Sequence, residues 1–174
     1  MSDLTVTAQG IFAMAPTSTR LTAYKTLIRP MLEYGTVVWD PYTKVSSSKI
    51  ERIQNQSLRF VYGRYKRTDS ITEMLSLSNI EPLCARRKLA RLKLLYCIAN
   101  RQTGIDPTMY LLPPFKHSSR INNSHHIRPF RSSPNVFKFS FFSRTVDEWN
   151  LLPDGIVACT TVEQFVIDAC FSHF

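Results

Sequence analysis

The stretch Leu21-Thr-Ala-Tyr-Lys-Thr-Leu-Ile-Arg-Pro-Met-Leu-Glu-Tyr-Gly-Thr-Val-Val-Trp-Asp-Pro41 decides how the chain is read. Leu21, Tyr24, Ile28 and Leu32 recur at helical spacing, which predicts an amphipathic helix with one buried stripe. Pro30 sits inside that pattern. It lacks a backbone donor and crowds the preceding turn, so the helix must kink or restart there. Val37, Val38 and Trp39 are β-branched and aromatic, so the run is either extended or the buried end of the helix. Trp39 reads as a core anchor in preference to a stacking platform. Lys25 and Arg29 lie four apart on another face, with Glu33 four further on.

Working outward, Thr17 to Thr19 offer N-caps for this helix, and residues 1–17 read as a loose leader. Downstream, Ser46 to Ser48 can cap a second helix over Lys49 to Tyr62, with Ile50, Ile53, Leu58 and Val61 on its apolar side and Arg52, Gln56 and Arg59 around the rest. Gly63 suits its C′ position. Ser70 and Glu73 form a capping box for a short helix to Leu77. A longer helix is expected over Leu83 to Asn100, burying Leu89, Leu92, Tyr96 and Ala99.

From Arg101 to Asn135 the prolines Pro107, Pro113, Pro114, Pro129 and Pro134 punctuate Ser, Asn and His, and an irregular connection is expected. Val136 to Phe142 alternates enough for a strand, or leads directly into a helix over Ser143 to Asn150 with Val146 and Trp149 inward. Pro153 stops that helix. Thr160 and Glu163 make a second capping box before a terminal helix carrying Val162, Phe165, Val166 and Ala169.

The expected fold is therefore mainly α: a helical bundle over 18–101, the irregular connection 102–135, and a small C-terminal helical segment over 136–174, with at most one short β element. The 174 residues suffice for one domain, or one domain and an appendage. With 44% hydrophobic and 20% charged residues the composition is globular.

The formal net charge of +9 favours polyanionic partners, nucleic acid before membrane. Arg64-Tyr65-Lys66-Arg67 is basic with an aromatic inside it, which suits phosphate contact with stacking, or else is a solvated loop. Arg86 to Lys93 (RRKLARLK) is the densest basic run, and one surface shared with the Arg64–Arg67 loop is expected. The candidate nucleic-acid contacts are Arg64, Lys66, Arg67, Arg87, Lys88 and Arg91, with Lys25 and Arg29 behind them. Arg29 could instead partner Glu33.

No catalytic chemistry is legible. A polymerase or nuclease needs clustered carboxylates to hold Mg²⁺, and Asp40, Asp69, Asp106, Asp147 and Asp154 are scattered. Asp147-Glu148 is adjacent, but helical neighbours face different ways. His117, His125 and His126 have no ligand partner at metal spacing, so neither metal nor cofactor is expected. The four cysteines form no C-x-x-C pair and read as reduced core thiols. No unbroken apolar run reaches membrane-spanning length. Met1 to Gly10 lacks a signal-peptide pattern, so an intracellular protein, nuclear or cytoplasmic, is expected.

Three blocks carry a resemblance. Tyr24–Pro41 (YKTLIRPMLEYGTVVWDP), Lys49–Gly63 (KIERIQNQSLRFVYG) and Phe139–Val157 (FSFFSRTVDEWNLLPDGIV) follow one another in order and resemble the region just after the catalytic domain in reverse transcriptases of non-LTR retrotransposons, the LINE-like, jockey-related elements. The resemblance runs from about Thr19 onward. It implies a thumb and post-thumb region, a helical unit that grips a primer-template duplex. The palm carboxylates of that family are absent, so it implies a non-catalytic truncated copy. Its implied partners are an RNA–DNA hybrid or duplex and a full-length retroelement polymerase. A relic that binds nothing, or a host-adopted module with a protein partner, are the alternatives.

Overall fold

The computed structural model describes residues 10, 12–114, 125–130 and 135–171, and among them it is mainly α with no strand. The chain divides into two compact units. Unit 1 holds the residues up to Gly35 and Trp39–Arg86, and unit 2 holds Thr36–Val38 and Arg87 onward. The division between the two units falls after Arg86, inside a helix.

Unit 1 begins with α1 (Thr17–Ala23), a π-helical turn (Tyr24–Ile28) and α2 (Arg29–Glu33). The widened turn places the Arg29 N–H on the Tyr24 carbonyl, and Pro30 then occupies the first turn of α2, where its missing donor leaves no bond unmade. The expected restart at Pro30 is thus achieved without breaking the rod. Gly35 follows at φ 61°, and the Trp39 N–H closes a turn on its carbonyl at 2.9 Å. Trp39 is 43% exposed, so it is not the core anchor expected of it. Its indole lies over Gly35, where a Cβ would meet Cδ1 and Nε1 at 3.0 Å.

α3 (Lys44–Tyr62) starts five residues earlier than expected. Thr43, not the serine run, caps it, its hydroxyl accepting the Ser46 N–H at 3.2 Å. Gly63 ends it in the left-handed conformation at φ 64°, as expected. Ser70 caps α4 (Ile71–Ser78) by accepting the Glu73 N–H. Tyr24, Leu58, Val61, Met74 and Ile80 form the core of the unit. The Arg20 guanidinium donates to the Phe60 carbonyl at 2.7 Å, tying α1 to the last turn of α3.

α5 (Leu83–Ala99) has its first turn in unit 1 and the remainder in unit 2. Unit 2 continues with α6 (Pro107–Tyr110), α7 (Asn135–Lys138), α8 (Phe141–Trp149), α9 (Asp154–Val157) and α10 (Val162–Phe171). The strand considered over Val136–Phe142 is replaced by α7 and the start of α8. Thr161, not Thr160, caps α10, accepting the Gln164 N–H at 3.3 Å. Its core gathers Leu92, Leu95, Tyr96, Ile127, Val146, Trp149, Phe165 and Ala169.

Trp149 and Asn150 fasten the irregular segment. The indole donates to the His125 carbonyl at 3.0 Å. The Asn150 amide pairs with both backbone groups of Ile127, at 2.9 and 2.7 Å. These bonds satisfy backbone that no secondary structure would satisfy.

Among the described residues no helix is long and apolar enough to cross a membrane. The leader up to Gln9, and His117, Lys116, Arg120 and Arg131 of the connection, lie outside the described residues.

Candidate nucleic-acid interface

The basic loop after α3 is built from the helix itself. Arg59, one turn before the helix end, points its guanidinium along the chain to the carbonyls of Arg64 (3.3 Å), Lys66 (3.1 Å) and Asp69 (3.4 Å). The Asp69 carboxylate accepts the Lys66 N–H at 2.8 Å. A loop held by four such bonds presents its outward side chains from a fixed frame. Tyr65 is 62% exposed, and Lys66 and Arg67 are exposed beside it. Neither cation has an ion-pair partner among the described residues. Arg64 differs: it pairs with Glu73 at 2.7 Å, and that carboxylate raises its pKa above the ordinary guanidinium value. Sequence reasoning missed Arg59 as the brace. Its signal was local, a long donor a few residues before a glycine-terminated helix.

Lys25 is exposed on the π-helical turn. Arg29 pairs with Glu33 at 2.9 Å, the structural alternative left open for it. Glu33 also meets the Arg86 guanidinium. Around these groups unit 1 carries a polar network. The Tyr24 hydroxyl donates to the Gln54 side-chain carbonyl at 3.0 Å, and Arg86 donates to the same oxygen. Burial raises the Tyr24 pKa, the charge of Arg86 opposing that shift, and burial lowers the pKa of Arg86. The Glu51 carboxylate accepts the Leu83 N–H at 3.0 Å and the Cys84 N–H at 3.2 Å, capping α5 from a helix far away in sequence. Tyr24, Arg29, Glu33, Glu51 and Gln54 therefore hold the helices of unit 1 together.

In unit 2 the expected contacts on α5 do not form an open face. Arg87 and Arg91 are buried, at 3% and 2% exposure. One Arg91 nitrogen lies 2.7 Å from both carboxylate oxygens of Glu148, and Arg144 approaches the same carboxylate at 3.5 Å. Lys88 is half-buried, and burial lowers its pKa, with Arg91 and Arg144 adding to the depression and Glu148 opposing it. The reason lies in the helix period. Arg87 and Arg91 share the buried stripe with Leu95 and Ile98, and Glu148 of α8 supplies the charge that lets Arg91 enter it. Arg87 and Arg91 are thus turned into the interior and not presented to solvent.

Of the eight candidates, the structure brings Lys66 and Arg67 together on one exposed loop with Tyr65, and engages Arg64, Arg29 and Arg91 with carboxylates. The four cysteines are free thiols, and Cys84 is exposed, not a core thiol. Among the described residues no three His, Cys, Asp or Glu side chains gather into a metal-holding group. No protein-family model, curated protein or solved structure matches the chain.

Proposed function

We propose that this chain is a thumb and post-thumb region of a non-LTR retrotransposon reverse transcriptase, without catalysis of its own, and that unit 1 binds nucleic acid through the backbone without reading sequence. The observation that supports this most is the braced loop: Tyr65, Lys66 and Arg67 are all exposed on a frame fixed by Arg59 and Asp69. Two free ammonium and guanidinium groups beside an exposed aromatic ring supply phosphate attraction and a stacking surface. Phosphate contacts position a protein without carrying base information, so binding is salt-sensitive and sequence-blind.

The test is binding of the purified protein to a labelled RNA–DNA hybrid across a salt series. A steep fall of log affinity with log salt, made shallower by Lys66→Glu/Arg67→Glu, supports the reading. No measurable binding at low salt by folded protein overturns it.

A second reading, a module that binds another protein, is favoured by one observation. Leu27, Met31 and Tyr34 of unit 1 are exposed at 50%, 40% and 80%, more apolar surface than a solvated helix needs. Under that reading Met31→Glu leaves hybrid binding unchanged and removes binding to the protein partner.

A further inference from the structure

The α3 helix has a second face that the sequence reading left unassigned. Its buried stripe runs through Gln54, Ser57, Leu58 and Val61. Directly opposite, at helical spacing, stand Val45, Ser48, Lys49, Arg52 and Gln56, all exposed, and then Arg59, which leads into the braced loop. This outward stripe holds cations and neutral groups but no carboxylate. The only acidic residue of α3 is Glu51, and it is turned away to cap α5. Lys49 and Arg52 have no ion-pair partner among the described residues.

The spacing fits an extended polyanion. At 1.5 Å rise per residue, Lys49 and Arg52 are about 4.5 Å apart along the axis, and Arg52 and Gln56 about 6 Å. The whole run from Lys49 to Arg59 covers about 15 Å before the loop begins. A surface helix normally intersperses acids among such cations for solubility, and it gains a few tenths of a kcal/mol from each i,i+4 pair. Here that option is unused over three turns, while the one acid available is committed elsewhere.

We infer that the outward stripe of α3, Lys49, Arg52 and Gln56, is a track for a nucleic-acid backbone that continues from the Tyr65–Arg67 loop. This rests on the loop's binding nucleic acid and extends it: the ligand is a strand long enough to lie along the helix, not a short oligonucleotide held at the loop alone. Lys49 and Arg52 neutralise phosphates, and the Gln56 amide donates to a phosphate oxygen. Because each neutralised phosphate contributes about 0.9 to the log–log salt slope on duplex DNA, the two cations together contribute between one and two units.

The experiment measures that slope on an RNA–DNA hybrid for the full chain, for Lys49→Gln/Arg52→Gln, and for Lys66→Gln/Arg67→Gln, with circular dichroism on each. All four positions are exposed, and glutamine conserves helix propensity at Lys49 and Arg52, so folding is retained. The expected result is a wild-type slope lowered by one to two units in the stripe variant and independently lowered in the loop variant. A stripe variant with the wild-type slope, beside a loop variant that is impaired, overturns the track and leaves loop binding standing. A wild-type protein with no salt-dependent binding overturns both.

Discussion

The pairing of Arg91 with Glu148 sets up an asymmetry that can be measured. Glu148→Leu takes from the Arg91 guanidinium, 2% exposed, the carboxylate that both short contacts reach, with the cations of Lys88 and Arg144 close by. Removing one partner of a buried pair costs about 3–5 kcal/mol. Arg91→Met is milder. Glu148 is 19% exposed, keeps Arg144 at 3.5 Å, and the thioether chain fills most of the vacated space. About 1–2 kcal/mol is expected there. The double variant should be about 2 kcal/mol more stable than Glu148→Leu alone, because it removes the buried cation together with its carboxylate.

The assay is urea unfolding followed by tryptophan fluorescence in a Trp39→Phe background, which leaves Trp149 as the sole reporter and places it in the unit 2 core. Equal m-values across the series license the comparison. If Arg91→Met costs as much as Glu148→Leu, or the double variant is no better than Glu148→Leu, the account of Arg91 as a charge admitted to the interior by Glu148 is wrong.

Two further outcomes concern unit 1. Gly35→Ala should destabilise by about 1–3 kcal/mol, since alanine resists φ near +60° and its Cβ would sit 3.0 Å from the Trp39 indole; a gain in thermal stability would show that the turn is not held in that conformation. Burial raises the Tyr24 pKa above 10.0, so the folded state holds the phenol proton more tightly than the unfolded chain does. Its contribution is full below pH 10 and is lost as pH rises through the folded value. Tyr24→Phe should therefore flatten the alkaline limb of a stability–pH curve, and an unchanged limb would exclude Tyr24 as its source.

Much of the helical plan was legible from local signals. Tyr24, Leu32, Leu58, Val146 and Trp149 are buried where periodicity puts them. Gly63 and Ser70 act as the cap residues that their chemistry suggests. The errors at Thr43 and Thr161 are shifts between neighbouring hydroxyl residues, any of which can accept an N–H. The pattern over Val136–Phe142 was ambiguous because a short apolar run satisfies either period. Of the candidate residues, the exposure of Lys66 and Arg67 was legible from a glycine-preceded loop. The burial of Arg87 and Arg91 was not, because the same letters suit a wet face and a buried ion pair.

The sequence by itself determined the class of fold, the helix ends marked by Gly63 and Ser70, and the excess of positive charge. Those depend on interactions within a turn or two of chain, or on composition alone. Only the tertiary structure decided which cations face solvent. Arg91 is buried because Glu148, 57 residues away, arrives beside it, and the Glu51 carboxylate is taken up by the Leu83 and Cys84 N–H groups because the start of α5 lies within its reach. Burying a charge is costly unless a partner meets it, and no local pattern states where that partner will be.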